Sequence, residues 1–534
     1  MGMQCKDLSI IQLFTEYYTV PDYQRPYAWG LEQVNDFFDD LVSFSNSKLG
    51  SDDFYLFGQI IIHNNGDTNY IVDGQQRIAT STIFLCALRD YIKKYYHSEE
   101  STLTRLNSSI GFDDDEGFKL KMGKLNQEFF FEYIQCGNHE ISPRSKFDKL
   151  IYTAYRTLYH RIYDLVESDS DALKRIVNAF TKQFHVSFVE TDNERQAFII
   201  FETLNSRGMP LNTQDLLKNR FFCYLGERYP HIKDKWAEMV ISISEVDGDT
   251  EQFIRYYWNS CHEFTRNAGL FSAVSAINEI SELKKTFDNI IELYPYYIEL
   301  ISPDRGKFSE TSQDALHNLK VMNAKSYIPL ILSLKLKKVN PEDEERILVA
   351  IESLIFRNQV VMKKTSNENE VFFGKLAKKF SDNVLTVQDI ISQINKAMVS
   401  DEEMKAIFSN FKPEIRIARM ILTNIYNMDH PEIKIKSSRA VHIEHIMPQT
   451  IGDWNIEENI WNEYKDRIGN MVLLDGKKNI AASNDTFDEK KPRYLLSDID
   501  DTRNIANYES WDETNIINHQ DYIFERICER WPKQ

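Results

Sequence analysis

The sequence predicts a predominantly helical α+β protein in three segments: a mixed α/β part over residues 1–220, a helical stretch over 221–412 and a ββα part over 413–534. Three observations predict it. Strand-like runs at 54–63 and 69–72 flank an Asn-Asn-Gly turn and lead straight into a helical pattern. From about 221 to 400, Tyr, Leu and Ile recur at three- and four-residue steps. After Pro413, two strand-like runs at 440–446 and 467–475 precede a short helix from Lys477 onward. A chain of 534 residues also fits about three domains at roughly 100–200 residues each.

Within the first segment, apolar residues at helical spacing predict a helix over Ala79–Tyr95, closed by basic residues. Residues 145–180 read as helical, 184–190 as a strand, and Asn193–Leu204 as a helix. The turn Asn205-Ser206-Arg207-Gly208 follows, then another helix from about Thr213. The acidic run Asp113-Asp114-Asp115-Glu116 reads as a loop without EF-hand spacing, which argues against calcium. In the helical stretch, Pro329 is expected to kink or end a helix.

Composition narrows the class. Hydrophobic residues make up 42% and charged residues 27%, ordinary for a globular protein. No apolar run reaches the roughly 18 residues of a membrane helix, and Met1–Ile10 lacks a signal-peptide core. The six cysteines form no CxxC pair, which argues against a zinc ribbon or disulfide scaffold and fits a reducing cytoplasm. At a net charge of −18, nucleic acid is not held by bulk charge, so local basic patches must do it. Lys335, Lys337 and Lys338 form one candidate and Lys363, Lys364, Lys375, Lys378 and Lys379 another, with a solvated helix face as the alternative for each.

The strongest chemical signal is His442-Ile443-Glu444-His445-Ile446-Met447-Pro448, followed by Gly469-Asn470-Met471-Val472-Leu473-Leu474, Asn479, Phe487 and Lys490. A metal-dependent phosphodiesterase needs an oxygen ligand for a hard cation, a base for water, and charge stabilisation at the leaving oxygen. Glu444, His445 and Asn479 are residue types that supply these parts. The nine residues from Asn470 to Asn479 carry the chain from a second strand onto a helix. His442 is read as a packing residue, with a ligand role as the alternative.

Three further motifs occur in the first segment: Tyr23-Gln24-Arg25-Pro26-Tyr27-Ala28-Trp29, Asp73-Gly74-Gln75-Gln76-Arg77, and Phe201–Gly208 continuing to Asp215-Leu216-Leu217-Lys218-Asn219. Asp-Gly-Gln-Gln-Arg sits at a strand-to-helix junction, where helix amides point outward, Gly74 permits close approach and Arg77 can fork two oxygens. Asp73 can hold a cation or a water, and Gln75 and Gln76 can bond to a nucleotide. The Arg-Pro-Tyr-Ala-Trp stretch reads as an exposed turn presenting Arg25, Tyr27 and Trp29 for stacking on a base; core packing of Tyr27 and Trp29, and pairing of Arg25 or Arg77 with a carboxylate, are the alternatives. No Walker A loop is present: the nearest run, Gly117–Lys124, has the wrong glycine spacing and is followed by Leu125.

From about Pro413 to the C-terminus, including Trp511 and Trp531-Pro532, the chain resembles HNH (His-Me finger) nucleases, and more closely the C-terminal domain of the GmrSD modification-dependent, type IV restriction enzymes. The resemblance implies a ββα-metal fold with His445 as general base, Glu444 as acidic metal ligand, Asn470 as the middle structural asparagine, Asn479 as second metal ligand, and Lys490 closing the motif. Glu444 stands where many HNH enzymes have Asp, which lengthens its reach to a metal. Residues 8–220 resemble the GmrSD N-terminal domain, of ParB-like fold, with all three motifs in order. That implies binding and hydrolysis of an NTP (GTP, UTP or ATP) and a part in recognising modified DNA. Asp73, Gly74, Gln75, Gln76 and Arg77 would be nucleotide-site residues with Gln24 and Arg25 beside them; Tyr27, Trp29, Asn205 and Arg207 are candidates for contact with DNA.

The expectation is therefore an NTP-regulated, Mg²⁺- or Mn²⁺-dependent DNA endonuclease restricting modified phage DNA, with double-stranded DNA and nucleotide as partners, no membrane, and a homo-oligomeric state left open. The alternatives are a nucleotide-dependent DNA-binding or regulatory protein with a silent or partner-dependent nuclease part, and an abortive-infection nuclease of relaxed specificity.

Overall fold

The computed structural model describes residues 3–47, 53–96, 99–111, 117–205, 213–303, 306–435, 441–451, 454, 456–475 and 485–533. The chain divides into two compact units. One comprises residues 1–254 and 266–294, the other 255–265 and 295–534. Residues 221–412 are thus divided between the two units.

The first unit is built on a six-stranded mixed sheet in the order β1-β6-β3-β4-β2-β5. Its strands are β1 (Gln4–Ser9), β2 (Tyr18–Thr19), β3 (Tyr55–Asn64), β4 (Asn69–Asp73), β5 (Leu120–Lys121) and β6 (Phe184–Thr191). β3 and β4 pair antiparallel through the expected hairpin. Its turn is closed by Asn64 and Asn65 side chains accepting from the amides of Gly66, Asp67 and Thr68, with Gly66 at φ +100°. β4 runs directly into the helix Gln75–Tyr95, four residues earlier than the apolar spacing indicates. That helix is buried along most of its length and shares the core with Phe37, Phe38, Phe180 and Phe184. β1 has no apolar alternation and was not expected. It is an edge strand held by backbone pairing to β6 and by the cross-strand pairs Lys6–Glu190 and Asp7–His185.

In the second unit the helices from Phe356 to Tyr426 and the C-terminal segment share one core, in which Trp531 stacks on Phe356 at 3.9 Å. Pro329 does not break a helix. It lies in the first turn of helix Ile328–Leu336, where its missing N–H has no intrahelical partner to lose. Prolines inside helices of the described residues are instead Pro295, in Ile280–Ile301, and Pro492, in Phe487–Tyr494.

Near the C-terminus, β7 (Val441–His445) pairs antiparallel with β8 (Met471–Asp475). The second expected strand is shorter than its 467–475 run, because Ile468–Asn470 form a 3₁₀ turn. Strand alternation divides the hairpin's side chains between two cores. Val441, Ile443, Met471 and Leu473 join helices Ile415–Asp429 and Glu513–Arg530; Val472 and Leu474 face helix Phe487–Tyr494 and Trp511. The helix expected from Lys477, the acidic run at 113–116, Arg207 and Asn479 lie outside the described residues. No helix among the described residues is long and apolar enough to cross a membrane.

Candidate functional site

In the C-terminal site, Glu444 and His445 are neighbours at the end of β7, so period-2 alternation turns their side chains to opposite faces. Glu444 is buried against helix Phe487–Tyr494. Lys490 and Tyr494, four residues apart on that helix, both donate to its Oε1, at 2.7 and 2.9 Å. Lys490 is wholly buried and also donates to the carbonyls of His445 (2.8 Å) and Ile446 (3.2 Å). One ammonium therefore ties the carboxylate to the point where the chain leaves the strand. Burial raises the Glu444 carboxyl above its ordinary range, with Lys490 opposing, and lowers the Lys490 ammonium, with Glu444 opposing.

His445 is half-buried. Burial lowers its pKa, the Asp466 charge opposes this, and Lys490 adds to it. The imidazole is thus neutral near pH 7, the state a general base requires. Its nearest side-chain partner is Gln449, at 3.5 Å from Nε2. His442, expected to pack, is exposed: it lies on the strand opposite Leu474 and contributes to neither core.

Asn470 is fully buried and works as a clamp. Its Oδ1 accepts from the Met447 amide (2.8 Å) and the Trp511 indole (3.1 Å), and its Nδ2 donates to the carbonyls of Met447 and Lys465 (both 2.8 Å). It fixes the loop after His445 rather than presenting a group to solvent. Gly469 is required by close approach, since a Cβ there would lie 2.2 Å from the Ile516 carbonyl. Behind it, His519 bonds the Gly469 carbonyl at 2.7 Å.

A hard divalent cation takes carboxylate and amide oxygens. Among the described residues no group of three His, Cys, Asp or Glu side chains gathers. Glu444 nevertheless has the right donor chemistry: both protein bonds go to Oε1, and Oε2 has no partner among the described residues.

In the N-terminal unit, Gly74 caps helix Gln75–Tyr95 at φ +90°, and a Cβ there would meet Ile60 Cγ1 at 2.8 Å. Gln76 is a main-chain clamp: its Oε1 accepts from the Ala28 amide (2.8 Å) and its Nε2 donates to the Pro26 carbonyl (3.2 Å). Gln24 donates to the carbonyls of Ile71 and Val72 and accepts from Lys218. Gln75 donates to the Arg25 carbonyl at 3.2 Å. Arg77 donates to the Gln59 carbonyl (3.3 Å) and lies against Gly58, where a Cβ would be 2.5 Å from Nε. Burial raises the Asp73 carboxyl, while Arg77 and Lys218 oppose and Asp215 adds to the rise.

The expected display of aromatic rings is corrected. Tyr27 is 1% exposed and its hydroxyl is taken by Thr80 (2.9 Å), so it offers no ring face; Trp29 packs edge-on against Phe57. The proline holds the segment against the core through Gln76 instead of lifting it into solvent. Asn205 ends helix Glu194–Asn205, with its side chain outside the described set.

Several residues joined to these sites were not singled out from sequence. Tyr494 carried a signal, its four-residue spacing from Lys490. Asp215 and Lys218 were quoted in the third motif without a role, yet Asp215 lies 3.1 Å from Arg25 and 3.2 Å from Lys218. His519 carried no sequence signal. In the basic patches, Lys335 pairs with Glu344, Lys378 with Asp382, and Lys337 donates to Asn383.

Residues 9–222 match the GmrSD restriction endonuclease N-terminal domain, and residues 398–526 the GmrSD restriction endonuclease C-terminal domain. The chain is also similar to the uncharacterized protein MJ0686 of Methanocaldococcus jannaschii, 22% identical over 267 residues. That match covers 43% of each chain, so it spans less than half of this relative's length. Carrying both domains in order, the chain belongs to the GmrSD restriction endonuclease family.

Proposed function

We propose that this chain is a DNA endonuclease of a restriction system, cutting with its C-terminal site under control of a nucleotide held by its N-terminal unit. The observation that carries the reading is a half-buried His445 next in the chain to Glu444 of the Glu444–Lys490–Tyr494 cluster, in a chain with both restriction-endonuclease domains. His445 accepts the proton of the attacking water. Lys490 and Asn470 fix the backbone from His445 to Met447, so the imidazole is held without reorganisation. Glu444, through Oε2, and Asn479 would hold Mg²⁺ or Mn²⁺, which supplies Lewis-acid stabilisation of the phosphate charge.

In the N-terminal unit, Asp73, Gly74, Gln75, Arg77, Gln24 and Arg25 would bind a nucleoside triphosphate. Support comes from the charges that meet there, Asp73 and Arg25 with buried Asp215 and Lys218, and from the helix start at Gly74. The substrate would be double-stranded DNA, with modified phage DNA as the restricted form.

The test is cleavage of plasmid and phage DNA, unmodified and cytosine-modified, with Mg²⁺ or Mn²⁺ and with or without NTP, comparing wild type with His445→Ala. Cutting by wild type alone supports the reading, and preference for modified DNA identifies its substrate. The buried Glu444–Lys490 pair favours one second reading, a C-terminal unit that keeps its fold as a regulatory module without cutting. Absence of cutting by wild type on every substrate and nucleotide would favour it.

A further inference from the structure

The polar cluster of the N-terminal unit extends beyond the motifs that announce it. Helix Thr213–Leu225 places Asp215, Lys218 and Asn219 at three- and four-residue spacing, on one face. Asp215 pairs with Arg25 and Lys218, and Lys218, itself 1% exposed, bonds Gln24. Next to Lys218, Asn219 is also 1% exposed, yet among the described residues neither its Oδ1 nor its Nδ2 has a hydrogen-bond partner. The same holds for Oε1 of buried Gln75, whose Nε2 is bonded to Arg25. Roughly nine in ten buried polar groups are paired. One carboxamide with both atoms unpaired and a second with its oxygen unpaired, beside one ion-pair cluster, therefore leave hydrogen bonds open to a ligand or a buried water.

Their chemistry constrains the missing partner. Lys218 and Arg25 suit an anion. The oxygens of Asn219 and Gln75 are acceptors and repel an anion's oxygens, so they need donors. A ligand meeting both demands carries negative charge at one end and neutral donors and acceptors at the other, as a nucleoside phosphate does.

We propose that helix Thr213–Leu225 forms the second wall of the nucleotide site, with Asn219 bonding the neutral base or sugar moiety and Lys218 neutralising phosphate. This rests on the nucleotide reading above and adds to it the residue that separates a nucleotide from bare phosphate.

The test is equilibrium binding to the full chain of GTP, UTP, ATP and inorganic tripolyphosphate, for wild type and Asn219→Ala. Wild type binds at least one NTP more tightly than tripolyphosphate, and Asn219→Ala reduces that preference about 10- to 100-fold while tripolyphosphate binding stays unchanged. Asn219→Leu guards against a folding artefact: removing an unpaired buried amide leaves the ligand-free melting temperature equal or higher, whereas a structural amide would lower it. An unchanged NTP preference in Asn219→Ala overturns the proposal and assigns the amide to a buried water, with the nucleotide reading intact. Wild type that binds no NTP overturns both.

Discussion

Replacing Lys490 with Met removes the only cation among the described residues that is bonded to the buried Glu444 carboxylate, and with it two bonds to main-chain carbonyls. Breaking a buried ion pair from one side costs about 3–5 kcal/mol, because the remaining charge stays desolvated. The Tyr494 hydroxyl still donates to Glu444, and the carboxyl can escape by taking up a proton, so the loss depends on pH. Without the ammonium the folded-state pKa of Glu444 rises further, and burial has already raised it. A group whose folded pKa exceeds its unfolded value contributes stability below the unfolded pKa and loses it as pH rises. The deficit of Lys490→Met should therefore be small near pH 5 and grow toward pH 8. Urea unfolding at both pH values measures it, read on the transition of the C-terminal unit because a two-unit chain need not unfold in one step. Glu444→Gln in the same background removes the stranded charge and should recover most of the loss. A cost under about 1 kcal/mol at pH 8, or no recovery in the double variant, refutes the buried-pair account.

Gly469→Ala should cost more than about 3 kcal/mol, since the new methyl meets the Ile516 carbonyl backbone and no flexible side chain can yield; thermal melting checks it, and a shift within error rejects that packing. Gln76→Leu removes both bonds to the 26–28 backbone and leaves the Ala28 amide unpaired, for about 1–3 kcal/mol. Hydrogen exchange should quicken at Ala28 first, and unchanged protection there would count against the clamp. For cleavage, burial holds His445 below its usual pKa, so the acid limb of the pH–rate profile should fall below 6.5 and vanish with His445→Ala; a limb centred above 7 contradicts the assigned base. His519 is buried with a lowered pKa, so the unfolded chain binds its proton first, and the C-terminal unit should lose stability as pH falls below about 6.5. His519→Gln should flatten that slope in melting curves taken across pH 5–8.

What could be read from sequence was what periodicity and turn chemistry carry. The β3–β4 hairpin and β7 fell where apolar alternation and an Asn-Asn-Gly turn put them, and the DGQQR helix ended where expected but began four residues earlier. β1 did not, because an edge strand stabilised by backbone pairing and two charge pairs leaves no hydrophobic pattern. Pro329 shows a different limit: the residue signals a helix boundary, but which side the helix lies on depends on the core that Ile328, Leu330 and Ile331 enter. Motif residues were legible as a group, whereas their individual tasks were not, since a buried clamp and a ligand contact use the same residue types.

Hydrogen-bond saturation separates those tasks. Gln76 and Gln75 are adjacent glutamines in one motif, yet the first has both amide atoms bonded to main chain and the second keeps its buried Oε1 unpaired. Among the described residues the Asn470 side chain has four bonds and the Asn219 side chain none. Tyr27 and Lys490 are likewise occupied by the fold, one bonded to Thr80 and the other to Glu444 and two carbonyls. A fully bonded side chain that binds a ligand must first give up a protein bond, which offsets what it gains; an unpaired one gains the whole bond. Substitutions at Gln76, Asn470 and Lys490 should therefore register first as lost stability, and those at Gln75 and Asn219 as lost binding with the fold retained.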